Sequence, residues 1–327
     1  MAGVLITGGT GLIGAQVARL LVERGESPLL FELSPRQEAV SALQAESAGA
    51  AARGRIHLLQ GDVLHLDQVR AAVRQHDIRC VIHTAALRGL TAGVQANPYE
   101  GARLNFEGAL NILEAARLEG VRRVVFSSSS TVYFGTLDPL PATLREEMPL
   151  RPPPSIYAAT KLAAEHLGRN YARWFGVEFT AVRYARVIGP QANPVTPHGV
   201  ALKTMAEAAV RGEPAKVEAF LFSEELLSYR DAARGTVLAA LKKGDPAPAY
   251  NIGSGQPHTM AEVLEALRRC VPEARISTRP LSPSFPYRFP IPPQDGELAQ
   301  RDLGYTAACD LEQIMAEYCD YARARRG

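Results

Sequence analysis

The segment Val4-Leu5-Ile6-Thr7-Gly8-Gly9-Thr10-Gly11-Leu12-Ile13-Gly14 constrains this chain more than any other. An apolar run of strand character ends in glycines spaced three apart, and these open a helical stretch. Gly8 permits a tight turn, Gly11 lets a ligand approach the backbone, and Gly14 allows the helix to pack close to the strand. A helix begun this way aims unpaired N–H groups and the positive end of its dipole at its N-terminus, which suits a phosphate. A glycine-rich turn without a ligand is the alternative. Against it stands Glu32, which closes the second strand 18 residues after Gly14. A carboxylate there accepts hydrogen bonds from ribose hydroxyls and repels a 2′-phosphate, so the pattern favours NAD over NADP. Arg36 nearby is a guanidinium able to take that phosphate instead.

Strand-like and helical stretches go on alternating through the first half. The pattern predicts strands at 3–7, 28–32, 56–60, 81–84, 123–127 and 178–184, and helices at 14–24, 36–45, 66–76, 98–119 and 156–175. Apolar runs of this kind belong to parallel strands covered on both faces, and the fold class expected is α/β with a doubly wound sheet. Ligands then bind at the carboxyl ends of the strands. The second half changes texture: helices at 199–211, 229–241 and 259–270, a strand at 250–253, six prolines within 280–293 and an amphipathic helix at 301–326. Thr259, with Glu262 three residues on, has the form of a capping box. The expected organisation is a dinucleotide-binding domain over 1–185 and a smaller substrate lobe over 186–327, with about 225–255 returning to the first domain.

Tyr157-Ala158-Ala159-Thr160-Lys161 follows a strand that runs into Ser127-Ser128-Ser129-Ser130. Tyr157 and Lys161 share one helix face at this spacing. A phenol of unperturbed pKa about 10 is a poor base near neutrality. A neighbouring ammonium and an oxidised nicotinamide ring both favour its phenolate. Such a tyrosine can remove an alcohol proton while hydride leaves the same carbon. Ser129 would bond the substrate oxygen. A tyrosine that merely packs, beside a solvated lysine, is the bland alternative, and the serine strand ahead of the pair weighs against it. Gly61-Asp62-Val63 follows another strand; Asp62 either bonds an adenine amino group or caps the helix after it.

Bulk properties exclude several classes. A net charge of +2 with well-mixed charges offers no basic face for nucleic acid or anionic lipid. The four cysteines show no metal-ligand spacing, so no metal site is expected. A core strand at the N-terminus and the lack of any apolar run near about 18 residues make a cytoplasmic location the expectation.

With these motifs in hand, the chain resembles the extended short-chain dehydrogenase/reductase family, in particular its NAD-dependent epimerase/dehydratase group. The resemblance rests on Thr7-Gly8-x-x-Gly11-x-x-Gly14, Asp62, His83-Thr84-Ala85-Ala86, Asn105, the serine run, Tyr157-x-x-x-Lys161, Arg183-Tyr184 through Gly189-Pro190, Asp231 and Tyr250-Asn251-Ile252-Gly253. It implies a Rossmann-type fold and an NAD cofactor, with Ser129 as catalytic hydroxyl beside Tyr157 and Lys161. It implies that His83, Ala85 and Ala86 line the cofactor, that Arg88 lies near its phosphates and that Asn105 supports the site. The cofactor shell also takes in Leu12, Ile13, Val63, Ser127 and Tyr184. On the substrate side it places Arg88, Ser129, Ser130, Thr131, Arg186 and Asn193.

Departures from the family pattern carry the substrate information. Nucleotide-sugar members usually have asparagine where this chain has Arg186, and a diphosphate-gripping arginine where it has Glu224, seven residues before Asp231. A carboxylate facing a diphosphate is repulsive. The dehydratase branch carries Thr-Asp-Glu where Ser129-Ser130-Thr131 stands, which argues against dehydration. Arg186 either pairs with a substrate carboxylate or phosphate, or forms an ion pair with Glu224 or Glu225. The expected activity is oxidation of a secondary alcohol of a sugar, sugar acid or polyol. The alternative is a UDP-sugar type 4-epimerase that retains its NAD. A regulatory protein that senses NAD without chemistry ranks below both. Family likeness also implies a homodimer formed through 98–119 and 156–175.

Overall fold

The computed structural model describes residues 3–37, 39–41, 56–87, 90–191, 196–281 and 289–325. Strand β1 (Gly3–Thr7) leads through the glycine turn into helix α1 (Leu12–Glu23), then β2 (Pro28–Glu32), β3 (His57–Gln60), α2 (Leu66–Gln75) and β4 (Ile78–His83). A long helical run follows in three parts: α3 (Leu90–Ala96), α4 (Pro98–Ala102), then a π-helical turn (Arg103–Glu107) that passes directly into α5 (Gly108–Glu119). Strand β5 (Arg123–Ser129) ends in a 3-10 segment (Ser130–Thr136), and α6 (Ile156–Phe175) precedes β6 (Glu178–Tyr184).

The remaining elements are β7 (Arg186–Ile188), α7 (Pro197–Arg211), β8 (Ala215–Glu218), β9 (Glu224–Ser228), α8 (Tyr229–Leu241), β10 (Ala249–Ile252), β11 (Pro257–His258), α9 (Met260–Cys270), β12 (Ile276–Arg279), α10 (Glu297–Leu303) and α11 (Leu311–Ala324). Seven strands form one sheet in the order β10-β6-β5-β4-β1-β2-β3, every pairing parallel. The chain starts in the middle, fills one edge through β2 and β3, and crosses back to β4. The direction of winding therefore reverses between β1 and β4, and a crevice opens beyond their carboxyl ends. This is the doubly wound α/β fold expected of the sequence.

Both faces of the sheet are covered. Val17 and Leu21 of α1 and Ala232 and Val237 of α8 pack on one face with Ile6, Ile82, Val125 and Tyr184. Val69 of α2, Ile112 of α5 and Ala164 of α6 pack on the other with Leu5, Val81, Phe126 and Phe179. A separate core joins α7, α9 and α11 around Leu202, Met205, Leu267 and Met315. Two small sheets, β11-β9-β7 and β12-β8, border it. Helix α8 and strand β10 thus belong to the main sheet although they lie late in the chain. Among the described residues no helix is long and apolar enough to cross a membrane.

Several expected boundaries shift for identifiable reasons. The helix expected at 98–119 is interrupted by the π-helical turn, which inserts one residue per turn and leaves no trace in a 3.6-residue period. Strand β5 runs two residues further than expected because Ser129 still pairs with Tyr184 of β6. The single helix expected at 301–326 is two: Gly304 closes α10 at φ +66°, and Asp310 caps α11 by accepting from Gln313 N. Helix α9 carries the predicted capping box, with Thr259 and Glu262 each bonding the other's backbone N–H. Half of the helix expected at 36–45 and half of the proline-rich stretch lie outside the described residues.

Gly168 decides how near α6 lies to the sheet, because a Cβ there would fall inside the Phe179 ring. Gly168→Ala is expected to push α6 outward and to lower the free energy of unfolding by about 1–3 kcal/mol. A denaturant titration that finds wild-type stability would contradict this account of the packing.

Candidate active site

The glycine turn presses the exit of β1 against the exit of β4. Gly8 has φ +66°, and a Cβ on it would stand 2.9 Å from Ala85 N. A Cβ on Gly14 would fall on the Gly8 carbonyl oxygen. Gly11 is the N-cap of α1 and provides no side-chain hydrogen bond, so the amides of Leu12 and Ile13 open the helix without a side-chain acceptor. Glu32, at the end of β2, accepts from Thr10 N at 3.3 Å and from Thr10 Oγ1 at 3.0 Å. Arg36 reaches the same residue, its guanidinium donating to the Thr10 carbonyl. The two residues that pull the cofactor preference in opposite directions therefore meet on one loop residue.

Asp62 does not cap the following helix. His65 is the N-cap of α2, and Asp62 Oδ1 instead accepts from Leu64 N at 2.9 Å, a local turn that holds the β3 exit. Val63 is buried beneath it, and its carbonyl accepts from Asn111 Nδ2 at 2.9 Å.

At the exit of β4, His83 Nδ1 lies 2.7 Å from Thr7 Oγ1, and Ala85 N donates to the same oxygen at 3.3 Å. His83 Nε2 is buried without a hydrogen-bond partner among the described residues. Burial, and then the charge of Lys161, lower the imidazole pKa to about 3, so His83 is neutral at working pH. Ala85 and Ala86 continue the turn beside it. Asn105, buried on the π-helical turn, accepts from Leu87 N at 3.1 Å and reaches Thr160 Oγ1 at 3.5 Å. The π geometry thus gives a functional position its aim. Arg88 lies outside the described residues.

Helix α6 starts with Ser155 accepting from Ala158 N, and lays its first turns across β5 and the 3-10 segment. Tyr157 and Lys161 are both buried on the face turned to the sheet. Lys161 Nζ donates to the Ser127 carbonyl at 2.7 Å and sits 4.7 Å from the Phe126 ring centre and 5.8 Å from that of Tyr157. Burial pulls the Lys161 pKa down to about 8, against an opposing pull from Glu165. Ser129 ends β5 and caps the 3-10 segment, its oxygen accepting from Thr131 N at 3.2 Å, which leaves its O–H to donate elsewhere. Thr131 Oγ1 is buried with no partner among the described residues. Ser130 follows Ser129 on the same turn.

Two expected cofactor residues turn their hydroxyls to the opposite face. Ser127 Oγ lies 3.1 Å from Tyr184 Oη, which lies 2.6 Å from Thr236 Oγ1 on α8. Ser127 still meets Lys161 through its carbonyl.

On the substrate side Arg186 pairs with Glu224, with Nε at 3.0 Å and Nη2 at 2.8 Å from the same oxygen. The other Glu224 oxygen is 3.1 Å from His198 Nε2. Burial raises the Glu224 pKa, but Arg186 and His198 more than offset it, and the net shift is downward. The ion-pair alternative for Arg186 is therefore the one the structure contains. Asn193 lies outside the described residues. Sequence reasoning did not single out His198, Thr7 or Glu165. Glu165 left a signal, since it follows Lys161 by four residues on the same helix face.

These residues fit a dinucleotide: a glycine turn too tight for any Cβ, an uncapped helix start, a carboxylate on the neighbouring strand and a buried imidazole nitrogen with no hydrogen-bond partner among the described residues. The arrangement defines an NAD-binding enzyme of hydride transfer. A family model described as the NAD dependent epimerase/dehydratase family matches residues 4–253, and the chain belongs to that family. It is similar to a UDP-glucuronate 4-epimerase of Thermodesulfobacterium geofontis, 27% identical over 82% of this chain and 80% of the other. Among solved structures it resembles the UDP-glucose 4-epimerase of Thermus thermophilus in complex with NAD, with 26% identity, a TM-score of 0.81 and coverage of 98% and 99%. A partial-consensus L-threonine 3-dehydrogenase shares the fold at 24% identity and TM-score 0.82, covering 98% of this chain and 99% of its own.

The Lys161 ammonium, expected to donate to a hydroxyl of the bound cofactor, is lost as pH rises through about 8. NAD affinity is expected to hold steady on the acid side and to fall above that value, by about tenfold to a hundredfold in all, the worth of one charge-assisted hydrogen bond. Calorimetric titration across pH 6–9 checks this. Affinity independent of pH, or the same pH dependence in Lys161→Met, would remove Lys161 from the binding site.

Proposed function

We propose that this protein oxidises a secondary alcohol of a sugar, sugar acid or polyol-like small molecule, with Ser129, Tyr157 and Lys161 carrying the reaction. Tyr157 takes the alcohol proton, and the charge of Lys161 helps that proton leave. Ser129 donates its O–H to the substrate oxygen, while one of its two lone pairs accepts from Thr131 N. His83, Ala85, Ala86 and Asn105 hold the cofactor's place at the β4 exit, and Leu12 and Ile13 supply amides to its phosphates. When bound, NAD supplies the hydride acceptor.

The observation that carries the substrate class is the closed Arg186–Glu224–His198 cluster. Ser129 is in register with Tyr184 on the adjacent strand, and Arg186 lies two residues beyond Tyr184. Arg186 thus opens β7 directly after the strand that pairs with Ser129. Its guanidinium is satisfied by Glu224, so an arriving diphosphate would meet a carboxylate where nucleotide-sugar members offer a cation.

A second reading, a nucleotide-sugar 4-epimerase that keeps its NAD, is favoured by the similarity to UDP-sugar 4-epimerases. Both readings place the enzyme in the cytoplasm, with no nucleic-acid or membrane partner. Adding excess NAD and a panel of free sugars, sugar acids and UDP-sugars, while following NADH absorbance, separates them. The expected result is NADH from a free sugar or sugar acid, with UDP failing to raise the melting temperature. Epimer interconversion of a UDP-sugar without net NADH would establish the second reading instead.

The proposal includes a homodimer. An open, mostly apolar groove of about 530 Å³ runs between α4, the π-helical turn and α6, lined by Tyr99, Ala102, Phe106, Ile156 and Ala159. Tyr99 is 72% and Ile156 38% exposed, an unusual cost for one chain alone. Ala159→Glu is expected to convert a dimer into a monomer in light-scattering chromatography; a wild-type monomer would refute the assembly.

A further inference from the structure

Two of the most deeply buried charges among the described residues lie one residue from the site and take no part in the reaction described above. Glu165 and Arg183 are 1% and 0% exposed. Glu165 Oε1 accepts from Ser128 Oγ at 2.6 Å and from Arg183 Nε at 3.0 Å. Its Oε2 accepts from Arg183 Nη2 at 2.7 Å and from Arg169 Nη2 at 3.4 Å. Arg183 Nη1 continues to Tyr133 Oη at 2.7 Å, and Tyr133 Oη donates to Asn251 Oδ1 at 2.7 Å. One carboxylate therefore ties α6 to β5 and β6, and through Arg183 to the 3-10 segment and β10.

A buried ion pair is weak evidence for stability, because a well-packed apolar pair of similar volume is often as good. Placement gives this one a sharper meaning. Glu165 stands one turn beyond Lys161 on the same face of α6, and Ser128, which it holds, immediately precedes Ser129. Among the described residues no carboxylate is hydrogen-bonded to Lys161: it donates to the Ser127 carbonyl and lies over the Phe126 and Tyr157 rings. The charged or titratable groups facing Glu165 are Lys161 and Arg169 on α6, Arg183 on β6 and Tyr133 on the 3-10 segment.

We propose that Glu165 is a positioning residue of the active site, holding Lys161 in its ammonium state and fixing β5 beside Ser129. The inference rests on the reading of Tyr157 and Lys161 as the reacting pair, but its test requires neither substrate nor cofactor. Burial works against the Lys161 cation, and a fixed negative charge one turn away offsets part of that penalty. Replacing the carboxylate by an amide removes the charge and preserves the shape, so Lys161 should give up its proton at lower pH.

The chain has five lysines, so selective ¹³C labelling at lysine Cε yields five resonances, with Lys161 assigned by Lys161→Arg. In the cofactor-free protein the wild-type Lys161 signal is expected to titrate near pH 8. In Glu165→Gln its proton affinity should fall at least about threefold while the other four signals stay in place. Should the unpaired Arg183 prevent folding, Glu165→Gln is made in an Arg183→Met background, and Lys161 should titrate lower in the double variant than in Arg183→Met alone. Ser128→Ala removes a hydrogen bond without changing charge, and Lys161 should titrate in it as in the wild type. An unmoved Lys161 titration in a folded Glu165 variant overturns the proposal, as does an equal shift in Ser128→Ala. Absence of any dehydrogenase or epimerase activity would bear on the proposed reaction alone.

Discussion

The site depends on the close seating of α6 on the sheet. Gly168 lets the helix approach until its backbone meets the Phe179 ring, and at that distance the Lys161 side chain is the right length to reach the Ser127 carbonyl. The same approach buries Tyr157 and Lys161 and brings Glu165 onto Ser128. Burial is what makes the lysine chemically unusual. In water its ammonium would be indifferent to its neighbours, whereas here desolvation works against the cation and nearby charges acquire leverage over it.

At the switch between β1 and β4, glycines let backbone press against backbone where a Cβ would clash, and the start of α1 has no side-chain cap. Further along, His83 Nε2 and Thr131 Oγ1 are buried polar atoms without partners among the described residues. A protein rarely tolerates such atoms unless something else satisfies them. Around Glu224 the charges are paired instead, one carboxylate oxygen accepting from Arg186 and the other lying against His198 Nε2.

Much of this was legible from the chain alone. The glycine spacing after β1, the carboxylate at the end of β2, the tyrosine and lysine one turn apart and the serine strand before them identify fold, cofactor and family. Each of these is a local pattern in which spacing dictates geometry. Features that resisted such reading depend on partners remote in sequence. The role of Asp62 was ambiguous until the turn onto Leu64 and the cap at His65 were seen. The π-helical turn that aims Asn105 has no period of its own. Arg186 had two equally reasonable partners, and only the pairing of β7 with β9 brings Glu224 to it.

By itself the sequence determined that this chain folds as a doubly wound α/β enzyme of the NAD dependent epimerase/dehydratase family, because strand period, glycine spacing and the tyrosine–lysine interval are properties of contiguous residues. Tertiary structure alone decided which charges neutralise one another. Glu165 meets Arg183 across 18 residues, and Arg186 meets Glu224 across 38. Coulombic and hydrogen-bond energies depend on distances in space and on burial, and neither is written in the order of the residues.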